Sequence, residues 1–251
     1  MDISSYILLS HEQALRRRLD IAANNMANSN TIGFRRERPV FHEAVERMEK
    51  TPGNDLPRDS RAASFVLDYR TRQDNRIGEF QATGNPLDIM IEGQGWLAVE
   101  APGGDTAYTR AGFLKVNDAG ELVSSGGLPV LDDGGRPLVI PLEERVSLSI
   151  GSDGTVASIN GPLGRIGVTV FEDESVLTPR GDGLTDGVGG RVLGAQETRI
   201  GSGGVESSNV QPIVETTELV DILRTYQASM RMTAALDDMR KRAIERLSRL
   251  G

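Results

Sequence analysis

The stretch VETTELVDILRTYQASMRMTAALDDMRKRAIERLSRL, Val214 to Leu250, runs without a single glycine or proline, and its reading decides how the rest of the chain divides. Glycine costs roughly 1 kcal/mol in a helix interior relative to alanine, and proline about 3. A stretch free of both predicts one helix, with Pro212 well placed near its start because a missing N–H matters least there. Leu219, Ile222, Leu223, Tyr226, Met230, Leu236, Met239, Ala243 and Leu247 trace a drifting apolar stripe along it. The early spacing of about 3.5 residues predicts a coiled-coil-like seam. Such a helix reaches roughly 55 Å at about 1.5 Å per residue, far beyond the globular mean of about 11–12 residues.

Outward from that helix, glycine marks the contrast. Of 29 glycines, 27 lie between Thr51 and Val210, and the other two are Gly33 and Gly251. The opposite end, Asp2 to Asn28, also lacks glycine and proline and predicts a second helix. Leu8, Leu15, Leu19, Ala22 and Met26 recur along one face, Ile3, Ile7, Ala14 and Ile21 form an adjacent row, and Arg16, Arg17 and Asp20 lie opposite. Asn28-Ser29-Asn30 followed by Gly33 reads as a stop signal, since Asn and Gly tolerate the left-handed backbone that helix ends need. Asn24, Asn25, Asn28 and Asn30 leave two readings open. They cap the helix locally, or some of their amides bond neighbouring backbone in an assembly, alongside Gly33 and Phe34.

Phe34 to Ala63 is charged and carries Pro39, Pro52 and Pro57, which reads as an extended arm with a short helix over Phe41 to Glu49. From Ser64 the pattern turns to β. Trp96 to Val99 reads as a strand, Asn117-Asp118-Ala119-Gly120 as a hairpin loop between Phe113–Val116 and Glu121–Ser124, and Val146, Leu148, Ile150, Ile166, Val168 and Val170 alternate with other residues. The expected fold is therefore α+β. Terminal helices over 1–33 and 206–251 pair into an assembly domain, 34–63 links, and 64–205 forms an inserted antiparallel β-rich domain.

Composition removes much chemistry. With no cysteine there are no disulfides, thiol nucleophiles or thiolate metal sites. His11 and His42 stand 31 residues apart in sequence, so metal binding is unsupported. Gly93-Gln94-Gly95 opens onto a strand rather than a helix, so it is no phosphate cradle. Asp132-Asp133-Gly134-Gly135 and Gly151 to Gly154 read as turns, lacking the later ligands of a calcium loop. Arg180-Gly181-Asp182 is too short a match to an attachment tripeptide to carry meaning. No catalytic cluster, cofactor site or metal site is expected. Sparse aromatics, 4%, favour a thin-cored architecture. The net charge of −8 is uneven: residues 1–50 hold 8 basic against 7 acidic side chains, 211–251 hold 7 against 6, and the middle holds 13 against 23. An acidic middle argues against a nucleic-acid surface. No run approaches the roughly 18 apolar residues of a membrane span. Ile3 to Leu9 is too short, and lacks the basic flank, for a secretory signal.

Four strings then add up. ANNMANSNTIGF (Ala23 to Phe34), GNPLDIMIEGQGWLAVE (Gly84 to Glu100), YTRAGFLKVNDAGELVSSGGLPVL (Tyr108 to Leu131) and ESSNVQPIVETTELVDILRTYQASMRM (Glu206 to Met232) resemble, in order and over most of the chain, the signatures of flagellar rod and hook proteins. Phe113 directly follows Gly112, one register change from that pattern. Length, the short linker after Phe34 and a basic tail from Arg240-Lys241-Arg242 to Arg249 look most like a proximal-rod member. Arg224-Thr225-Tyr226-Gln227-Ala228-Ser229 departs from the distal-rod pattern.

The resemblance implies a structural subunit of the basal-body rod, not an enzyme, exported by the flagellar type III apparatus without signal cleavage. It implies assembly in the periplasm with copies of itself and other rod proteins, as part of the shaft between motor and hook. The implied N-terminal interface is Leu8, Leu15, Leu19, Ala22, Asn24, Asn25, Met26, Asn28, Thr31, Gly33 and Phe34. The C-terminal one is Ser208, Asn209, Val210, Leu219, Ile222, Leu223, Tyr226, Met230 and Leu236. Isolated amphipathic helices are marginal without packing, so both ends are expected to order on assembly, with the acidic β domain facing outward. The alternatives are a distal-rod or hook-type subunit and, remotely, a β-domain enzyme or carbohydrate-binding module with oligomerisation tails.

Overall fold

Both glycine-free stretches are helical in the computed structural model, which describes residues 3–47, 62–145, 147–180 and 182–248, in backbone only at 3–6, 42–47, 62–70, 175 and 247–248. Helix α1 spans Ile3–Ala27 and helix α2 spans Pro212–Ser248. Between them the chain is β-rich and antiparallel throughout, so the fold is α+β. The chain forms two compact units. A helical unit comprises Met1–Ala27, Glu37–Asp74 and Gln211–Gly251, and a β unit comprises Asn28–Arg36 and Asn75–Val210.

In the helical unit α1 and α2 pack antiparallel. Met26 lies beside Thr216, Asn25 beside Glu215, Arg18 beside Glu218, and Glu12 beside Ser229 and Thr233. Leu15, Ala22 and Ile222 are buried at the centre of the seam, with Leu19 and Leu219 half-buried around them. The residues of α2 that are buried or half-buried include Glu215, Leu219, Ile222, Ser229, Thr233, Leu236 and Arg240, a heptad-like spacing, with Glu218 beside Leu219. The apolar stripe read from sequence thus divides. Leu219, Ile222 and Leu236 serve the seam, whereas Leu223, Tyr226, Met230 and Met239 stay exposed. The Leu247 side chain and Arg249 lie outside the described residues.

The arm is not a helix. Strand β1 (Glu37–Arg47) pairs antiparallel with β2 (Ala62–Gln73), Glu37 opposite Gln73 and Arg47 opposite Ala62, with a bulge at Val40/Phe41. This corrects the short helix expected over Phe41 to Glu49; its last two positions lie outside the described residues. Val40, Phe41 and Val45 suit a pleated ribbon better than a helix. In a two-stranded ribbon every strand is an edge, so Pro39 can keep its missing N–H off the ladder. Such ribbons are marginal alone, and α1 packs along this one, with Arg17 donating to the Thr71 hydroxyl at 3.0 Å.

The β unit carries the larger core. A six-stranded sheet comprises Trp96–Glu100 (β5), Thr106–Thr109 (β6), Val168–Val170 (β12), Thr178–Pro179 (β13), Thr185–Asp186 (β14) and Arg191–Val192 (β15), in the order β13-β14-β6-β5-β12-β15. Ser149–Ile150 (β9), Thr155–Ser158 (β10) and Gly161–Arg165 (β11) form a three-stranded sheet. Three pairs complete the unit: Phe80–Ala82 (β3) with Gly204–Glu206 (β17), Ile89–Ile91 (β4) with Ile200–Ser202 (β16), and Leu114–Val116 (β7) with Leu122–Ser124 (β8). The strand over Trp96 to Val99 and the Asn117–Gly120 hairpin are present as the pattern predicts. The alternation expected over Ile166 to Val170 gives way to a run in which Gly167 and Thr169 are buried as well and only Val168–Val170 is strand. Ile89, Leu97, Val99, Leu114, Leu122, Val130, Ile140, Val156, Ile166 and Val168 fill one continuous core. Among the described residues no helix is long and apolar enough to cross a membrane.

Because Ile222 is 2% exposed at the middle of the seam, Ile222→Ala is expected to cost about 2–5 kcal/mol. The check is the thermal unfolding of the helical far-ultraviolet signal, and an unchanged transition would contradict this packing.

Candidate functional site: the buried polar junctions

In the β unit, residues from distant parts of the sequence, two of them inside the quoted motifs, meet at one carboxylate. Glu206 closes β17 and is 1% exposed. Its Oε1 forms an ion pair with Arg35 Nη2 at 2.8 Å and accepts from the Gly78 N–H at 2.8 Å, while Oε2 accepts from Arg110 Nη1 at 3.3 Å. Both arginines are themselves buried. Arg35 also donates to the carbonyls of Asn75, at 2.9 Å, and Arg76. Arg110 donates to Ile91 at 3.2 Å and Gly93 at 2.7 Å, and its guanidinium lies over the Trp96 ring, 5.6 Å from the centroid. Burial, then the nearby Arg35 charge, push Arg110 down to about 10, opposed by Glu206 and Glu174; it stays cationic at neutral pH.

Backbone closes round the ions. The Gly33 N–H donates to the Glu206 carbonyl at 2.8 Å and the Asn209 N–H to the Phe34 carbonyl at 3.4 Å. The Asn209 side chain accepts from the Arg36 N–H at 2.7 Å and donates to the Arg76 carbonyl at 2.7 Å. Gly33 has φ +69°, and a Cβ there would lie 2.5 Å from the Arg110 carbonyl carbon. A Cβ on Gly78 would lie 1.9 Å from the Ser207 oxygen. Both positions require glycine for close approach.

A second junction lies in the helical unit. Asn25 is 1% exposed at the end of α1, and its amide makes both bonds of a strand partner to Glu37: Nδ2 to the carbonyl at 2.9 Å, and Oδ1 from the N–H at 2.8 Å. The same Nδ2 reaches the buried Glu215 carboxylate in the first turn of α2 at 3.3 Å. One side chain therefore ties α1, the start of β1 and the start of α2. Within its own chain, then, Asn25 bonds the backbone of Glu37 rather than capping its helix. Asn28 makes the local turn, with Thr31 N–H to the Asn28 carbonyl and Thr31 Oγ1 to Asn28 Oδ1, each 3.1 Å. Among the described residues no asparagine takes the left-handed backbone; Gly33 does.

The sequence-derived positions are thus shared out. Leu15, Leu19, Ala22, Leu219 and Ile222 meet in the helix seam; Leu8 and Leu236 are half-buried; Asn24, Met26, Leu223, Tyr226 and Met230 are exposed. Thr31, Gly33, Phe34, Ser208, Asn209 and Val210 belong to the β unit. Sequence reasoning missed Arg35, Arg110, Glu206, Glu37 and Glu215, although Arg110 and Glu206 sit inside quoted motifs. The aspartate-glycine segments are turns: Asp132 accepts from the N–H groups of Gly134 and Arg136 at 2.8 Å each, and Asp153 from Thr155. No group of three acidic or histidine side chains able to hold a metal occurs among the described residues.

Asn25→Ala would leave the Glu37 backbone groups and the Glu215 carboxylate short of a partner, and is expected to destabilise the helical unit by about 2 kcal/mol. Burial raises the Glu37 carboxyl above 4.5, against the Asn24 hydrogen bond and the Arg17 charge. An acid raised on folding contributes stability that is present below its unfolded value and lost as pH rises through the folded one. Between pH 7 and pH 4.5, wild type is therefore expected to gain stability relative to Glu37→Gln. Parallel thermal melts across that range check this, and a flat or opposite trend would contradict it.

Comparison with known proteins agrees with this arrangement of motifs. Residues 6–35 match the family described as Flagella basal body rod protein, 90–158 the Flagellar hook protein FlgE/F/G D1 domain, and 202–246 the Flagellar basal body rod FlgEFG protein C-terminal region. The chain is 36% identical to the flagellar basal-body rod protein FlgF of Caulobacter vibrioides over 100% of both chains. It is 35% identical to FlgF of Mesorhizobium japonicum, covering 95% of this chain and 96% of that one. To FlgG of Agrobacterium fabrum it is 31% identical over 90% and 92%.

Proposed function

The chain belongs to the flagellar basal-body rod protein family, and from that premise we propose how it assembles. It is a structural subunit of the flagellar basal body rod, most like FlgF, and the distal-rod reading is not favoured over this one. It takes its place in the proximal rod, in the periplasm, and reaches it through the flagellar type III export apparatus without losing a leader peptide. Its partners are further copies of itself and other rod proteins. It uses no cofactor, acts as no enzyme and engages no nucleic acid.

The observation that carries the assembly reading is the second apolar row on α2. The seam to α1 uses Leu219, Ile222 and Leu236, whereas Val220, Leu223 and Met230, at spacings that hold one helix face, remain 41, 44 and 46% exposed. Tyr226 borders them at 36%. Helix α1 has 25 residues against 37 in α2, so α2 outruns its partner and offers further surface. A head-to-tail contact on such a row, between subunits related by a rotation that does not close, generates a helical shaft. Of the sequence-derived interface, Met26, Leu223, Tyr226 and Met230 therefore take the intersubunit role, and the buried seam residues hold the helix pair.

Leu223→Glu together with Met230→Glu is expected to leave the helical signal and melting of the free subunit unchanged, because both side chains already face solvent. In cells lacking the native protein the variant is expected to abolish swimming and halt the rod. Full swimming restored by that variant would overturn the assembly reading.

A further inference from the structure

We propose that the Arg35–Glu206–Arg110 junction is a mechanical clamp, which closes the β unit where its chain enters and leaves and resists load applied to those two ends. The proposal relies on the rod reading for the origin of the load, not for the clamp itself.

Three features of the β unit support it. First, the entering segment Asn28–Arg36 and the leaving segment Glu206–Val210 lie side by side and run in the same direction. Gly33 bonds to Glu206, and Phe34 and Arg36 both bond to Asn209. Drawing Asn28 and Val210 apart therefore pulls the two segments along each other. The load falls on all of these bonds together rather than on one after another. Second, the third passage is tied into the same place: Asn75 and Arg76 accept from Arg35, Arg76 accepts from Asn209, and Gly78 donates to Glu206. Third, the ions are dry. Arg35, Arg110 and Glu206 are 3, 5 and 1% exposed, and Gly33 and Gly78 admit the backbone so closely that a Cβ would collide with it.

Burial is what distinguishes a clamp from an ordinary contact. A buried ion pair adds little to equilibrium stability relative to a well-packed apolar replacement, yet removing one partner alone is strongly destabilising. Parting the charges under load must pass through that unpaired state, because water reaches them only after they separate. The junction therefore raises the barrier to forced opening more than it raises the folding free energy, and lifetime under force follows that barrier.

The test is single-molecule force spectroscopy on the full chain. The sequence has no cysteine, so cysteines placed at Asn30 and Gln211 are unique attachment points. A second pair at Asp105 and Val188 loads the antiparallel neighbours β6 and β14, which are joined at Tyr108 and Thr185, from one end, so that they peel. Wild type is expected to live longer at a given force when held through 30 and 211 than through 105 and 188. Arg35→Met is expected to shorten the lifetime through 30 and 211 by about tenfold or more, as loss of one partner of a buried pair implies. The variant carrying Arg35→Met, Arg110→Met and Glu206→Leu together separates a charge clamp from general stability. Its urea midpoint, read from Trp96 fluorescence, is expected to lie above that of Arg35→Met, with its lifetime under force still short. Equal or shorter wild-type lifetimes through 30 and 211 than through 105 and 188 would overturn the proposal. So would a triple variant that regains wild-type lifetime, or an Arg35→Met lifetime equal to wild type. The wild-type comparison decides the matter even where a variant does not fold.

Discussion

The Glu206 carboxylate is the constraint on which the β unit depends. A buried carboxylate is tolerable only when each oxygen is satisfied, and here one guanidinium and one backbone N–H donate to it while a second guanidinium pairs with its charge, all drawn from distant parts of the sequence. That requirement brings Arg35, just after the N-terminal signature, to Arg110 in the second strand region and to Gly78 at the return from the hairpin. It also explains two glycines by steric need, since neither Gly33 nor Gly78 has room for a side chain. The signature segment is divided in consequence: Ala23–Ala27 closes α1 in the helical unit, and its remainder from Asn28 to Phe34 is part of the β unit.

The helical unit uses a similar device at smaller scale. Asn25 and Glu215, both 1% exposed, sit at one end of a seam whose centre is apolar. A polar pair in such a seam fixes register, because sliding the helices by one turn would bury both groups unpaired. Leu15, Ala22 and Ile222 supply the attraction, and Asn25 supplies the alignment of α1, β1 and α2 together. Once the seam is aligned, the row Val220, Leu223 and Met230 is presented on another face of α2, which is the condition for a repeating contact between subunits. The half-buried Arg18–Glu218 pair on the same seam stays open to solvent and adds about 0–1 kcal/mol.

Much of this was legible in the residues. Glycine-free ends announced both helices to within a residue or two, and the Asn117–Gly120 loop announced its hairpin. The hairpin over Glu37–Arg47 and Ala62–Gln73 was not, because Phe41, Ala44 and Val45 also fit a helical spacing, and pairing with a partner strand decides between the two. The ionic junction was hidden for a different reason. Charged side chains read as surface unless their partners are known, and the partners of Glu206 lie 171 and 96 positions away in the sequence. The resemblance to rod and hook proteins delivered Arg110 and Glu206 as motif letters without their roles. Asn25 was singled out by the sequence, but its partners, Glu37 and Glu215, come from elements whose approach no local pattern encodes.

Native-state hydrogen exchange tests the central claim most directly, that the junction is an integral, closed part of the β unit. Amide protection tracks the free energy of the opening that exposes it. The amides of Gly33 and Gly78, bonded to the two ends of Glu206, are expected to exchange as slowly as those of Ala98 and Leu131 in the core, and to lose protection together with them in urea. Exchange of Gly33 and Gly78 at the rate of an exposed loop, while the core amides stay protected, would contradict it.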